Sequence, residues 1–176
     1  MIFVPLPLSG AHLIDVEPRP DERGFFVRTW CAREFAARGL NTRLAECAVS
    51  FNRRRGTLRG LHYQVAPHAQ AKLVQRARGA IHDVIVDLRP ESPTYRQWSA
   101  VTLTEASRRM LYVPEGFAHG FQTMEDATEV LYHLSDFYHP AAERGIRWDD
   151  PGFAIVWPEA ERTVSSRDQT FADFRE

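Results

Sequence analysis

The sequence predicts an all-β fold, a jelly-roll sandwich or barrel, and three observations support this prediction. β-Branched and aromatic residues recur with a period of two through most of the chain. Turn residues interrupt these runs at short intervals, as at Arg55-Gly56, Arg78-Gly79 and Arg89-Pro90. The spacing between the runs is too short for crossover helices. An antiparallel sandwich or jelly-roll barrel is the architecture that satisfies all three.

Nine segments carry the strand pattern: residues 11–16, 25–30, 44–51, 57–63, 81–88, 98–103, 110–113, 117–123 and 128–134. Helix is limited to residues 31–38, which Gly39 ends, with a further turn near 104–107. Prolines and tryptophans after Tyr138 predict an irregular C-terminal segment packed against the barrel. The length of 176 residues is typical of one domain, so we expect residues 1–176 to form a single jelly-roll domain.

Charge and cysteine content exclude several classes of protein. A formal net charge of −1 and a pI near 6.7 leave no basic stripe for a nucleic acid or an anionic membrane surface. Cys31 and Cys47 are too few for a disulfide framework or a zinc knuckle, and are expected to be reduced, buried residues of a cytoplasmic protein. The apolar N-terminus has two prolines and no basic leader, which argues against a signal peptide or membrane span.

Lys72 is the single lysine among 22 lysine and arginine residues. A lysine ammonium is a compact charge whose pKa moves on burial, and it fits beside a developing oxyanion where a guanidinium does not. The alternative is a base-composition effect that replaced lysines by arginines and left one behind. Arg59 and His62 lie shortly before Lys72, and His119 lies in a Pro-x-Gly-x-x-His segment. These neighbouring polar residues favour a functional role for Lys72.

Four polar residues of the predicted strands are unusual for a core: His62, Lys72, His119 and Tyr132. Strands of one barrel can direct such side chains into a common mouth, so the four predict a pocket. Three other histidines, His82, His133 and His139, are interpreted as core residues with satisfied hydrogen bonds.

The segment from Pro114 to His119 resembles the second half-motif of the cupins, whose jelly rolls often bind a metal through three histidines and a glutamate. The first half-motif departs from that pattern, because His62-Tyr63-Gln64 stands in place of His-x-His and Lys72 stands in place of the glutamate. Lysine and glutamine are inadequate ligands for a divalent ion. The sequence therefore predicts no metal site.

A longer series of segments resembles the dTDP-4-dehydrorhamnose 3,5-epimerase family over roughly residues 10 to 170. The series, in chain order, is Asp21-Glu22-Arg23-Gly24-Phe25-Phe26, Leu58-Arg59-Gly60-Leu61-His62-Tyr63-Gln64, Lys72-Leu73-Val74, Asp83 to Arg89, Ser92-Pro93-Thr94, Pro114 to Phe121, Trp148-Asp149-Asp150-Pro151, Trp157-Pro158 and Ser165-Ser166-Arg167-Asp168. Chance agreement at so many spaced motifs is negligible.

The resemblance implies epimerisation of a nucleotide-linked 4-keto-6-deoxy sugar at the carbons beside the ketone. Such chemistry needs a base, an acid on the opposite face and a positive group near the enolate oxygen. By resemblance, His62 is the base and Asp168 holds its imidazole. Tyr132 is the acid, and Lys72 stabilises the enolate. No cofactor is required.

The resemblance also implies a set of substrate contacts. Arg23 and Arg59 match diphosphate-binding positions, and His119 matches a contact to sugar or phosphate. Tyr138 matches an aromatic residue that stacks on the nucleotide base, while Glu143 and Arg167 match further contacts to the substrate. The family's Arg23 segment reaches across a dimer interface, so the resemblance implies a homodimer.

Two departures from the family pattern bear on the substrate. Glu46-Cys47-Ala48 stands where the family usually has Gln-Asp-Asn, and Arg28 stands where it has a glutamate. One hypothesis is that Arg28 and Glu46 form a reversed salt bridge at the pocket mouth. The alternative is that the sugar or nucleotide differs from the usual one.

Three other functions stay open on the sequence. The first is an epimerase that inverts one carbon, or that uses a different nucleotide sugar. The second is a catalytically silent protein that binds a sugar nucleotide. The third is a metal-dependent cupin oxygenase or isomerase, which the altered ligand set disfavours.

Overall fold

The computed structural model describes residues 1–175 and contains fourteen strands and two short helices over that range. The strands are β1 (Ile2–Pro5), β2 (His12–Asp15), β3 (Arg19–Asp21), β4 (Gly24–Phe26), β5 (Glu46–Asn52), β6 (Thr57–Gln64), β7 (Lys72–Arg78), β8 (Ala80–Asp87), β9 (Trp98–Thr104), β10 (Met110–Val113), β11 (Phe117–Thr123), β12 (Thr128–Leu134), β13 (Glu143–Gly145) and β14 (Thr163–Val164). The helices are α1 (Ala32–Ala36) and α2 (Ser166–Gln169).

Two six-stranded sheets form the body of the fold. The first sheet has the order β1-β2-β10-β7-β12-β5, and the second has the order β13-β6-β11-β8-β9 with β14 paired to β6. Strands β3 and β4 form a separate hairpin. All pairings are antiparallel except that of β14 with β6. The predicted all-β jelly roll is confirmed.

Apolar side chains from both sheets meet in one core. Val74 and Val130 come from the first sheet, and Ile85 and Phe121 come from the second. These side chains are at most 1% exposed. Because strand residues alternate between faces, the same strands leave every second side chain for the outer surface or for a covering segment.

The C-terminal segment covers the outer face of the second sheet. Ile146, Phe153 and Trp157 pack against Val84 and Val86, whose positions alternate with the inward-facing residues of β8. Residues 84–86 of β8 are therefore covered by apolar side chains on both faces, which explains the uninterrupted run of valine and isoleucine there. The predicted irregular segment packed against the barrel is confirmed, with β13, β14 and α2 as its regular elements.

The sequence prediction and the structure differ in several elements. Strand β4 ends at Phe26, so the predicted strand over residues 25–30 is wrong beyond that point. Five strands were not predicted: β1, β3, β7, β13 and β14. Most of these are short, but β7 was missed because Lys72, Gln75 and Arg76 interrupt its apolar pattern. Helix α1 is shorter than the predicted 31–38.

The predicted burial of the cysteines is wrong. Cys47 is exposed on β5, an edge strand that pairs only on the β12 side, and Cys31 is half-buried before α1. Both are free thiols.

The interpretation of His82 and His133 as core histidines with satisfied hydrogen bonds is also wrong. Both residues are half-buried, and one ring nitrogen of each is buried without a hydrogen-bond partner among the described residues. Burial lowers the pKa of both imidazoles, which keeps the rings neutral.

Two glycines allow β6 and β11 to approach closely. Gly60 has φ +119°, and a Cβ built on it would lie 2.6 Å from the Gly120 Cα and 2.8 Å from the His119 carbonyl oxygen. Residues with a side chain rarely adopt this positive φ and cannot fit so close to another backbone, so glycine is required at this position. The contact lies beside the position where His62 on β6 pairs with His119 on β11.

We expect Gly60→Ala to destabilise the fold by at least about 3 kcal/mol, because the new methyl group would meet backbone atoms that cannot rotate away. Gly24→Ala is the matched control, since Gly24 has a similar φ of +136° but no atom within 4 Å of the place that a Cβ would take. We expect that variant to lose only about 1 to 2 kcal/mol through backbone strain. Denaturant unfolding measures both, and equal losses would contradict the packing argument.

Candidate active site

A cavity of about 280 Å³ lies between the two sheets. The first sheet contributes side chains from β5, β7 and β12, and the second contributes side chains from β6 and β11. Its lining residues are Ala48, Ser50, Arg59, His62, Tyr63, Gln64, Gln70, Lys72, His119, Phe121, Tyr132, Leu134, Tyr138 and Glu143. The four polar strand residues singled out in the sequence all line this cavity.

The imidazole of His62 is held by Asp168. The His62 Nε2 atom lies 2.8 Å from Asp168 Oδ1, and the other carboxylate oxygen accepts a bond from the Gly60 backbone N–H at 3.1 Å. We assign the Nε2 proton to the bond with this carboxylate, which leaves Nδ1 with a free lone pair. The Arg167 Nη2 atom lies 3.3 Å from Nε2 as a close neighbour. Asp168 therefore fixes the orientation of the His62 imidazole.

Helix α2 places Asp168 against β6. Ser165 caps the helix by accepting a hydrogen bond from the Asp168 N–H at 3.1 Å, and Asp168 is 3% exposed. Burial raises the pKa of the carboxyl, but the bonds from His62 and Gly60 and the charge of Arg167 outweigh burial and hold the pKa below its usual range. The carboxylate is therefore ionised beside His62.

A second histidine and carboxylate pair is still more deeply buried. His119 Nε2 lies 2.6 Å from Asp83 Oδ1, and the two residues are 4% and 0% exposed. Burial lowers the pKa of His119 more than Asp83 raises it, which favours the neutral imidazole. The second oxygen of Asp83 is buried without a hydrogen-bond partner among the described residues.

Sequence reasoning gave Asp83 no role, although the residue lies in a quoted motif. A signal was present, because Asp83 shares one face of an apolar strand with Ile85, a core residue. A carboxylate on the inner face of such a strand requires a partner. The partner, His119, lies on β11 two residues before Phe121, which pairs with Asp83. A single sequence does not reveal that register.

Lys72 brings a buried positive charge from the first sheet. Its side chain donates a hydrogen bond to the His62 carbonyl oxygen at 3.1 Å, and the residue is 8% exposed. Burial lowers the pKa of the ammonium to about 8, against the opposing effect of Asp83 and Glu143. The group is thus charged near neutral pH and easily deprotonated above it.

Tyr132 lines the cavity from β12, so it faces the second sheet, which carries His62. Its ring meets the ring of His119 edge-on with centroids 6.0 Å apart. Burial and the nearby charge of Asp83 raise the pKa of the phenol, although Arg59 opposes this. The hydroxyl therefore keeps its proton at neutral pH.

Three of the predicted substrate contacts form a polar rim at the cavity. The hydroxyl of Tyr138 donates to Glu143 Oε2 at 2.7 Å, and Arg167 Nη1 binds the same oxygen at 3.0 Å. Tyr138 is 51% exposed, so its ring is free to contact a ligand. The shared carboxylate of Glu143 connects this rim to the arginine that lies beside His62.

The two predicted diphosphate ligands lie apart. Arg59 lines the cavity, and its Nε atom donates to Asn52 Oδ1 at 2.8 Å. Arg23 lies on the β3–β4 hairpin with its side chain 81% exposed, where it binds Asp21 at 2.7 Å. The described chain therefore brings all predicted site residues to the cavity or its rim except Arg23.

The predicted ion pair between Arg28 and Glu46 is wrong for the described chain. Arg28 Nη1 lies 3.4 Å from Glu34, a residue of α1. Glu46 lies at the start of β5, where it pairs with Leu134. The local helix supplies the nearer carboxylate, so the two departures from the family pattern are structurally separate.

The donor atoms of the cavity do not form a metal-ligand set. Within residues 1–175, His62 and His119 belong to no group of donor atoms close enough to share an ion, and the ammonium of Lys72 lines the same cavity and would repel a cation. Among residues 1–175, one group of three nitrogen and oxygen donors is close enough to share an ion, and it lies at the rim. Over the same range, neither helix has the length and apolar character needed to cross a membrane.

Known proteins resemble this chain over nearly its full length. The family model described as dTDP-4-dehydrorhamnose 3,5-epimerase matches residues 5–176. The protein named dTDP-4-dehydrorhamnose 3,5-epimerase from Methanothermobacter thermautotrophicus is 41% identical, with 99% of this chain and 95% of that protein covered. A Streptomyces niveus protein named dTDP-4-dehydrorhamnose 3-epimerase is 42% identical, with 94% of this chain and 80% of that protein covered.

A solved structure gives the same result for the fold. The crystal structure of dTDP-4-dehydrorhamnose 3,5-epimerase from Bacillus anthracis, with TDP and PPi bound, superimposes with a TM-score of 0.94. It is 36% identical, and the match covers 98% of this chain and 99% of that one. The chain belongs to the dTDP-4-dehydrorhamnose 3,5-epimerase family.

Proposed function

We propose that the chain is an epimerase that inverts C3 and C5 of a dTDP-linked 4-keto-6-deoxyhexose, through an enolate and without a metal or redox cofactor. The observation that carries this proposal is the position of a base and an acid on opposite sheets. His62 with Asp168 faces the cavity from β6, and Tyr132 faces it from β12. Inversion needs removal of a proton from one face and its return to the other, which this arrangement permits.

The remaining cavity groups fit the charge that develops on the substrate. When His62 removes the proton beside the ketone, negative charge moves to the carbonyl oxygen. The buried ammonium of Lys72 supplies a positive charge in a site of low dielectric. Tyr132 then delivers its proton to the opposite face of the carbon. The neutral His119 donates its Nε2 proton to Asp83, which leaves Nδ1 to accept a hydrogen bond from a substrate hydroxyl without adding a second cation.

The rim and the cavity entrance suit the nucleotide part of the substrate. Arg59 is placed to bind phosphate oxygens, since it lines the cavity and is exposed to solvent. The exposed ring of Tyr138 supplies a stacking surface for the base, while Glu143 and Arg167 contact the substrate. The relative from Bacillus anthracis was crystallised with TDP and PPi, which supports a thymidine diphosphate group here.

A second candidate is an epimerase that inverts C3 only. The relative from Streptomyces niveus is named a 3-epimerase and is as similar to this chain as the 3,5-epimerase from Methanothermobacter thermautotrophicus. The same base and acid serve either reaction, so the two candidates differ in how the sugar ring sits between them.

Deuterium exchange tests the base and the acid separately. We expect the wild-type enzyme in deuterated water to remove the C3 and C5 proton signals of dTDP-4-keto-6-deoxyglucose and to form the inverted product. His62→Ala should lower both rates by about 10² to 10⁴-fold, because no base remains. Tyr132→Phe should keep exchange but lose inverted product, because deuterium returns only from the His62 side.

Proton NMR follows these signals directly. Tyr95→Phe serves as the control, since that residue lies between β8 and β9 and does not line the cavity. Loss of one signal would favour the 3-epimerase, and no exchange by the wild type would overturn the proposed function.

The rate of epimerisation should fall as the pH rises through about 8. Lys72 carries its charge below its pKa of about 8 and is neutral above it, so the enolate loses its positive partner on the alkaline side. We expect Lys72→Met to be slower by about 10² to 10³-fold and to lack this alkaline limb. A pH–rate profile of wild type and variant decides the point, and an identical limb in Lys72→Met would assign it to another group.

Homodimer formation is the part of the proposal that places Arg23. Its hairpin exposes Phe25 and Phe26, which are 47% and 70% accessible, and such an apolar surface favours association. We propose that this hairpin extends to a second copy of the chain, where Arg23 completes the diphosphate site. This accounts for the distance between Arg23 and the cavity of its own chain.

Mixed dimers test this arrangement. Arg23→Ala and His62→Ala chains should each be weak alone, because one lacks a phosphate contact and the other lacks the base. After unfolding and refolding as an equal mixture, about a quarter of the cavities should combine His62 of one chain with Arg23 of the other. We expect activity to recover to that extent. No recovery, or a monomer in analytical ultracentrifugation, would contradict the shared site.

A further inference from the structure

A cluster of two histidines and one aspartate lies at the rim, outside the catalytic groups. His68 follows β6, while Asp136 and His139 follow β12. One ligand atom of each residue lies within 4.8 Å of those of the other two. His68 Nδ1 is 3.4 Å from Asp136 Oδ2. The interpretation of His139 as a core residue is wrong, because its ring is half-buried and stacks on the ring of His68.

The stacking places two imidazoles beside one carboxylate. The ring centroids of His68 and His139 are 3.5 Å apart with an interplanar angle of 21°. One nitrogen of each ring lies close to the same carboxylate, so Asp136 adds an anionic oxygen to the pair. Two imidazole nitrogens and a carboxylate oxygen are a donor set that suits zinc and similar divalent transition metals.

Two buried glutamines hold the backbones of all three residues. The Gln64 side chain donates to the His68 carbonyl oxygen at 2.7 Å and accepts from the His139 N–H at 2.6 Å. Gln70 donates to the Asp136 carbonyl oxygen at 2.7 Å. Gln64 and Gln70 are 5% and 9% exposed. The two loops are therefore fixed relative to one another, so little ordering is left for an ion to impose.

A competing cation already occupies one side of the aspartate. Arg43 Nη2 lies 3.1 Å from Asp136 Oδ1, which leaves Oδ2 facing His68. The Arg43 side chain is 58% exposed, so this ion pair is weak and solvent-screened. Asp136 can bind Arg43 through Oδ1 and a metal ion through Oδ2 at the same time. Removal of the Arg43 guanidinium would nevertheless make the electrostatic potential at the metal position more negative.

We propose that His68, Asp136 and His139 form a zinc site, with the remaining coordination position open to water. Ligand atoms of a tetrahedral zinc ion lie about 3.4 Å apart. Because the lone pairs of two stacked imidazoles are nearly parallel, one of the two rings must rotate out of the stack for both to bind the same ion. Tyr138 lies between two of the ligands in the sequence, and the two glutamines line the cavity. A bound ion would fix this wall of the cavity without contact to the reacting groups.

Zinc binding to the purified full-length chain, free of any affinity tag, tests the site. Isothermal titration with zinc chloride should give one ion per chain. His68→Ala and His139→Ala should each weaken binding by at least about tenfold. His12→Ala is the matched control, because His12 is also a half-buried histidine but lies on β2 and bonds to the Gly10 carbonyl oxygen. That variant should bind zinc as the wild type does.

A gain of affinity excludes trivial explanations. Arg43→Ala should bind zinc more tightly than the wild type, and misfolding cannot produce such a gain. Zinc should raise the midpoint of thermal unfolding of the wild type and of Arg43→Ala, but not of His68→Ala. Absence of binding would overturn the proposal, as would an equal loss in His12→Ala or a loss in Arg43→Ala. Each measurement is independent of epimerase activity.

Discussion

The contact between Gly60 and Gly120 is the constraint on which the site depends. Because neither residue has a side chain, β6 and β11 approach closely enough to set His62 opposite His119. The same Gly60 directs its N–H to Asp168, which in turn holds His62. One backbone position therefore determines both the spacing of the two histidines and the orientation of the His62 imidazole. Side chains elsewhere in the cavity refine a geometry that the backbone has already set.

The charged groups of the cavity oppose the stability of the fold. Lys72, Asp83 and Asp168 are all less than 10% exposed, and burial of an ionised group costs free energy unless partners offset it. Asp168 accepts hydrogen bonds from two donors, whereas the ammonium of Lys72 donates to a neutral backbone carbonyl oxygen. The pKa of Lys72 is lowered because this hydrogen bond does not fully offset the cost of burying the ammonium. The lysine therefore keeps a poorly solvated charge inside the cavity.

Much of the fold and the cavity could be predicted from the sequence, because alternation and spaced motifs are local signals. Strands β10, β11 and β12 begin and end where their patterns do. The errors have a common physical origin in contacts between distant residues. Phe25 and Phe26 continue an apolar pattern but remain exposed. Strand β7 was missed because it carries polar residues that only the folded chain shows to be buried. The pairing of His119 with Asp83, and that of His68 with His139, likewise depend on the folded chain.

His62 and Tyr132, the proposed base and acid, lie on different sheets, so under the proposed mechanism the stereochemical outcome depends on how the core separates the two sheets. Val130 and Ile85 pack between the sheets that carry Tyr132 and His62. A change in their volume would alter the separation of the sheets. It would thereby alter the distance between Tyr132 and His62, between which the sugar ring of the proposed substrate lies. Relatives could therefore diverge between one inversion and two while every reacting side chain stayed the same. Selection on stereochemistry would then act on methyl groups that no substrate touches.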